Sequence, residues 1–230
     1  VIKTIVIVGH PSPADSGCQQ FLRESAQLEQ VEYYIATNQM DYQQVKRVQE
    51  HLVEFDRIIF QFPMYWYSVP GHFKMWIDTV FENSERNNLF SGKEFGLVIN
   101  YGVKSSDFQA GRKERYTLSE LCRPFESFAN KLGMIFLPIF SISQFYYLTS
   151  SEMKRLAVDY QQYLTKKNSN DFLSKEVWIQ QRLNLFAVQE KDDKRLRIFK
   201  HIVDHIASNR DQLSSLEESL TWIKEESSYE

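Results

Sequence analysis

An α/β architecture, with a parallel sheet covered by helices on both faces and a helical tail behind it, is the fold class the sequence predicts. Three observations predict it. Short runs of β-branched and aromatic residues, each closed by a turn residue, alternate five times with stretches whose apolar residues are spaced by three and four. The first run is apolar almost throughout, as a strand buried on both faces requires. After residue 165 the runs cease and only helical spacing continues. Alternation of this kind gives parallel strands joined by right-handed crossovers. We therefore place an α/β domain over 1–165 and a helical C-terminal extension over 166–230.

The elements follow in order. The first strand is Val1-Ile-Lys-Thr-Ile-Val-Ile-Val8, closed by Gly9, His10 and Pro11. A helix over 19–28 carries Phe21, Leu22, Ala26 and Leu28 on one stripe, and residues 31–36 form a short second strand. Asp41 caps a helix whose inner face is Val45, Val48, Leu52 and Phe55. The third strand, Arg57 to Phe62, is stopped by Pro63. The next helix begins after Ser68 with Pro70 in its first turn, where a missing N–H costs nothing, and buries Val69, Phe73, Trp76, Ile77 and Val80. Residues 95–99 are the fourth strand. Residues 116–132 are mostly helical, kinked or restarted at Pro124 and ended by Gly133. Residues 134–142 are the fifth strand, bent at Pro138, and 151–164 the closing helix. Lys166-Lys-Asn-Ser-Asn170 is a polar connector. Beyond it run two apolar stripes, one of Leu196, Phe199, Ile202 or Val203, and Ile206, the other of Leu213, Leu216, Leu220 and Ile223.

Composition narrows the function classes. The 230 residues carry 27 Lys and Arg against 30 Asp and Glu, a formal net charge of −3. So balanced a chain offers no electrostatic grip on nucleic acid or an anionic membrane. The two cysteines, Cys18 and Cys122, make no disulfide framework and suit a reducing compartment. No apolar stretch reaches membrane-spanning length and no leader pattern follows the first strand, so we expect a cytoplasmic protein without membrane insertion. His201 and His205 lie one helical turn apart with no third metal ligand in view, so no metal site is expected.

In an open parallel sheet, ligands bind beyond the carboxyl ends of the strands. The loop after the first strand, residues 9–20, combines hydroxyls, a glycine and the amides of a helix start, which suits a phosphate. The loop after the third strand, Pro63-Met-Tyr-Trp-Tyr-Ser-Val-Pro70, sets three consecutive aromatic residues on the binding edge, an apolar surface for a flat ring with backbone donors beside it. The loop after the fourth strand, Asn100-Tyr-Gly-Val103, includes Gly102, where backbone can approach a ring edge. A phosphoacceptor receiver on a similar sheet is excluded, because it needs an Asp where the third strand ends in Phe62-Pro63.

The string Phe62-Pro-Met-Tyr-Trp-Tyr-Ser-Val-Pro-Gly-His-Phe-Lys-Met-Trp-Ile-Asp-Thr-Val-Phe81 resembles the signature of the NAD(P)H:quinone reductase family, which includes the drug-activity modulators and the ancillary subunits of glutathione-gated potassium efflux. Val6-Ile-Val-Gly-His-Pro with Ser16 is similar to that family's first phosphate loop. Gly92-Lys93, Phe108-Gln-Ala-Gly111, residues 121–125, Gly133 and Leu137-Pro-Ile-Phe140 fit its later spacing, and the likeness covers roughly 2–165. The resemblance implies a flavodoxin-like five-stranded sheet of order 2-1-3-4-5, a homodimer, and a bound flavin, FMN with FAD as the alternative. It implies NADPH or NADH as donor, with hydride passing through flavin N5 to a quinone or similar small acceptor. By position, His10, Ser16, Gly17, Cys18 and Gln19 would surround the phosphate. Pro63, Met64, Tyr65, Trp66 and Tyr67 would contact the ring, largely through backbone. Asn100, Tyr101, Gly102 and Val103 would stand at its other edge, with Tyr101 a candidate to protonate the reduced acceptor.

The chain departs from the pattern in three places. Gln19 replaces an Asn common among relatives, and Asn-Tyr-Gly-Val replaces Thr-Thr-Gly-Gly. The Tyr and His that some relatives use in proton transfer are not evident, Asp107 and Lys113 falling near their places. The altered fourth loop and the helical tail keep a second expectation open, a non-catalytic flavin- or nucleotide-binding regulatory subunit, for example of a transporter.

Overall fold

The computed structural model describes residues 2–37, 40–84, 88–167 and 172–226, apart from the side chains of residues 172, 189, 217 and 223–226. Val1, part of the 166–170 connector and the Ile223 side chain therefore lie outside the described residues. The chain divides into two compact units, 1–168 and 169–230.

The first unit is built on strands β1 (Thr4–Val8), β2 (Val31–Ile35), β3 (Arg57–Pro63), β4 (Glu94–Tyr101), β5 (Ile135–Phe136) and β6 (Phe140–Ser143). They form one parallel sheet of order β2-β1-β3-β4-β5, with β6 also paired to β4. The expected order is borne out. The expected fifth strand is two short pieces, because the ladder breaks at Pro138, after Leu137 N–H has bonded to the Phe95 carbonyl and before Phe140. Proline has no N–H to give it.

Helices α1 (Gly17–Ser25) and α6 (Ser150–Thr165) lie on one face of the sheet, and α2 (Tyr42–Val53), α3 (Gly71–Val80), α4 (Leu118–Leu121) and α5 (Arg123–Lys131) on the other. Their ends obey local chemistry. Asp41 and Gln44 form a reciprocal capping box, each bond 2.8 Å. Gly133 ends α5 in the left-handed region (φ 68°), and Met134 N–H returns to the Ala129 carbonyl. Pro124 restarts the helix between α4 and α5. Pro70 precedes α3 as its cap instead of standing inside its first turn, and its carbonyl accepts from Phe73 N–H and Lys74 N–H.

Alternation along the buried strands sorts the core into two clusters. Ile5, Ile7, Ile58, Phe60, Phe62, Leu97 and Ile99 face α2, α3 and α5. Phe60 is the hub of an aromatic cluster with Phe73, Trp76, Phe81, Phe95, Phe125 and Phe128, at centroid distances of 4.7–6.4 Å. Val6, Val8, Ile59 and Val98 face α1 and α6. That second face also buries two polar side chains of β3, Arg57 and Gln61. Arg57 pairs with Glu94 (Nη2–Oε2 2.6 Å) and donates to the carbonyls of Tyr163 and Lys166. Thr4 Oγ1 donates to the Leu164 carbonyl at 2.6 Å. The last carbonyls of α6, which no helix satisfies internally, are thus capped from β1 and β3. Cys18 and Cys122 sit in the second and first clusters respectively, and burial pushes both thiols up to about 12.

The second unit consists of α7 (Phe172–Gln189) and α8 (Asp193–Glu226), in contact with each other. Both apolar stripes read from the sequence fall on the single helix α8. Arg182 lies over the rings of Trp178 and Phe186.

Two predictions follow from this packing. Arg57→Met strands Glu94 and the end of α6, and is expected to lower the unfolding free energy by about 3–5 kcal/mol in urea titrations; a loss under about 1 kcal/mol would show that Arg57 does not seat α6. Neither cysteine is expected to react with a disulfide reagent at pH 8 until denaturant is added. Rapid labelling of the folded protein would contradict the burial of both thiols.

Candidate functional site

Strands β1, β3 and β4 are neighbours in the sheet, so the loops leaving their carboxyl ends converge. Direct bonds tie them together: Gly9 N–H to the Gln61 carbonyl (2.8 Å), and Met64 N–H to the Asn100 carbonyl (2.9 Å). Gly9 is required there, because a Cβ would lie 2.0 Å from the Phe73 ring. The chain reverses its direction across the sheet between β1 and β3, and this is where open α/β sheets hold their ligands.

In the β1 loop, a 3-10 turn at Pro13–Asp15 leads to Ser16, the N-cap of α1, whose hydroxyl accepts from Gln19 N–H at 3.4 Å. The N–H groups of Gly17 and Cys18 have no acceptor among the described residues. Half-buried His10 accepts at Nδ1 from Ser12 N–H (3.0 Å), which leaves its Nε2 as the N–H of the neutral ring. Burial, with His72 nearby, lowers its pKa. His72 is likewise lowered by burial, and its Nε2 is buried with no partner among the described residues. Cys18 and Gln19 are placed differently from the first expectation: their side chains are buried in and under the sheet, so only the Cys18 amide faces the loop.

Among the described residues, two adjacent non-glycine residues with positive φ occur only in the β3 loop. Tyr65 and Ser68 exchange two backbone hydrogen bonds (2.9 and 3.0 Å) around a two-residue turn, with Trp66 at φ 48° and Tyr67 at φ 62°. Such turns favour Asn and Gly, because a side chain in the left-handed region costs about 1–2 kcal/mol. Two aromatic residues hold it here. Trp66 is 94 % exposed, with Tyr65 and Tyr67 about half exposed beside it. The N–H groups of Trp66 and Tyr67 have no acceptor among the described residues. Tyr67 donates its hydroxyl to Glu114 (2.8 Å), which raises the phenol pKa and clips the 104–117 segment to the turn. Pro63 is the buried last residue of β3, and Met64 is partly buried.

At the β4 loop, Gly102 and Val103 likewise have N–H groups without an acceptor, and the space where a Gly102 Cβ would stand is open. Val103 packs on the core, its carbonyl accepting from Ser143 Oγ (2.8 Å). Tyr101 is buried, edge-on to Phe108 at 5.0 Å, with its hydroxyl paired to Ser141 and its pKa raised by burial. Asn100 is half buried, and its Oδ1 accepts from Gln19 Nε2 at 3.1 Å.

Four contributors carried little sequence signal. Gln61 lies within an apolar strand, and His72 stands two residues past Pro70. Tyr146, from the loop after β6, sits 3.3 Å from where a Gly17 Cβ would be. Glu114 is joined to Tyr67 across 47 residues. The Gly17 contact was open to inference from the glycine, and the Glu114 pairing had no local mark.

Comparison with known proteins agrees with this geometry. The chain is 42 % identical over 123 residues to the uncharacterized NAD(P)H oxidoreductase YrkL of Bacillus subtilis (strain 168), covering 50 % of this chain and 71 % of that one. It is 33 % identical over 131 residues to the glutathione-regulated potassium-efflux system ancillary protein KefG of Enterobacter sp. (strain 638), covering 54 % and 72 %. The crystal structure of an NADPH-quinone reductase from P. pentosaceus superposes with a TM-score of 0.69 at 40 % identity, covering 73 % of this chain and all of the other. The resemblance read from residues 62–81 is borne out by these likenesses. Residues 2–166 match the family described as Flavodoxin-like fold, to which this chain belongs.

Proposed function

We propose that the first unit is an FMN-dependent NAD(P)H oxidoreductase acting on a small quinone-like acceptor. One observation carries the reading: an exposed aromatic turn, held in a strained conformation, adjoins two other loops with amides that have no acceptor among the described residues. Strain of this kind persists where surrounding structure and a bound group exploit it. The likeness to an NAD(P)H oxidoreductase and an NADPH-quinone reductase supports the same chemistry.

The residues fit a flavin mononucleotide. The free amides of Gly17 and Cys18, at the positive end of α1, with the Ser16 hydroxyl and His10 Nε2–H, would hold its phosphate without Lys or Arg. Pro63, Met64 and Tyr65 would floor the ring, with the Trp66 and Tyr67 amides as donors and their side chains excluding water. Asn100, Gly102 and Val103 would supply donors at the opposite edge, and Tyr101 a wall. When bound, the flavin supplies two-electron chemistry, accepting hydride from NADPH or NADH and passing it on. Burial raises the Tyr101 pKa and so favours the protonated phenol, the form in which it would donate to the reduced acceptor. The KefG likeness favours a second reading, in which the same flavin site serves as an ancillary regulator.

Titration with FMN and with FAD is expected to quench Trp66 fluorescence saturably, FMN binding more tightly. NADPH or NADH should then bleach the flavin, with turnover on adding a soluble quinone. No association with either flavin would overturn the reading, and bound flavin without turnover would favour the regulator. The double variant Trp66→Asn/Tyr67→Gly relieves the turn. It is expected to raise the unfolding free energy by about 1–2 kcal/mol while FMN affinity falls tenfold or more. Unchanged affinity would remove the aromatic turn from the site.

A further inference from the structure

A chain of side-chain amides runs from α6, between the sheet and α1, to the edge of the candidate ring site. Tyr160 donates its hydroxyl to Gln61 Oε1 at 2.6 Å. Gln61 Nε2 donates to Gln19 Oε1 at 2.7 Å and to Tyr33 Oη at 2.5 Å. Gln19 Nε2 donates to Asn100 Oδ1 at 3.1 Å. Gln61 and Gln19 each accept a bond at the oxygen and donate from the nitrogen, Gln61 twice and Gln19 once. The last nitrogen, Asn100 Nδ2, has no acceptor among the described residues, and it stands where the loops after β1, β3 and β4 meet.

Amide chains of this kind can run in either direction unless an end is pinned. Here one end is pinned. Tyr160 is fully buried, and desolvation holds its phenol protonated. Turning the amides round would make Tyr160 the acceptor and leave its hydrogen buried without a partner, which proteins avoid. At the other branch, Tyr33 is partly buried, and its oxygen accepts from Gln61 Nε2.

We propose that Tyr160 is a positioning residue that, through Gln61 and Gln19, fixes the Asn100 amide so that it presents NH2, and not its carbonyl, to the acceptor edge of a flavin ring. The proposal rests on the flavin reading above. It also gives a role to the two departures from the family pattern, Gln19 and Asn100. The shorter Asn at the first place would not span from Gln61 to Asn100, and threonine at the second could rotate its hydroxyl to donate or accept.

The test is a mutant cycle read by FMN binding. Tyr160→Phe keeps the ring and removes the pin. It is expected to weaken FMN binding about fivefold, and Gln61→Met, which breaks the same chain from β3, to do the same. Asn100→Asp, which still accepts from Gln19 but offers only oxygen outward, is expected to lose tenfold or more. In an Asn100→Leu background, Tyr160→Phe is expected to have no further effect. In flavin-free protein, the side-chain NH2 protons of Gln19 and Gln61 are expected to exchange slowly, and faster in Tyr160→Phe. An equal Tyr160→Phe loss with and without Asn100 would make the hydroxyl a packing group and overturn the proposal. So would native affinity in Asn100→Asp, or unprotected amides in the unaltered protein. Absence of any flavin binding in the unaltered protein would instead remove the flavin reading itself, and this inference with it.

Discussion

Two polar side chains of β3 lie under α6 with no access to water, and much of the first unit is arranged to satisfy them. A buried guanidinium is tolerable only if paired and fully bonded. Arg57 finds Glu94 on the next strand and the terminal carbonyls of α6 above it. One group thereby joins β3, β4 and the closing helix at the amino end of the sheet. Gln61, four residues on and on the same face, does the equivalent work at the carboxyl end by gathering Tyr33, Tyr160 and Gln19. The opposite face needs no such matching, because it is filled by phenylalanine rings around Phe60. The sheet thus has an apolar side that supplies cohesion and a side whose bonds set register and orientation.

The ligand edge inherits this division. The loops after β1, β3 and β4 hang from adjacent strands whose relative positions are fixed below them, so they can afford irregular backbone above. The turn at Trp66 and Tyr67 is the plainest case. Its local chemistry contradicts the residue preference of such turns, and conflicts of this kind collect at functional sites. His72, whose buried Nε2 has no partner among the described residues, stands at the start of the helix that follows.

Most of the fold was legible because its signals are local. Mostly apolar runs mark β1, β3 and β4, Asp41 and Gln44 write their own cap, and Gly133 needs the left-handed region. The aromatic turn was legible too, since three adjacent rings after a strand are rare in a plain connection. What escaped depends on partners far away in the chain. Nothing in residues 57–63 says that Arg57 will meet carbonyls more than a hundred positions later, or that Gln61 will meet Tyr160. The family resemblance placed Cys18 and Gln19 around the phosphate. The helical turn instead carries their side chains under the sheet and leaves only the Cys18 amide behind. Pro70 was placed one step too far inside α3, and the fifth strand was drawn whole because its composition is continuous through Pro138.

That break in the fifth strand also bears on how separate copies of the protein meet. An open sheet has two borders whose unpaired amides can recruit a strand from another molecule. Here the border beyond β4 is cut into pieces of two and four residues, separated by an imide that cannot donate. The border at β2 carries the Glu32 carboxylate against His51. A proline thus interrupts one margin and a charged side chain stands on the other, both features that discourage intermolecular β-pairing.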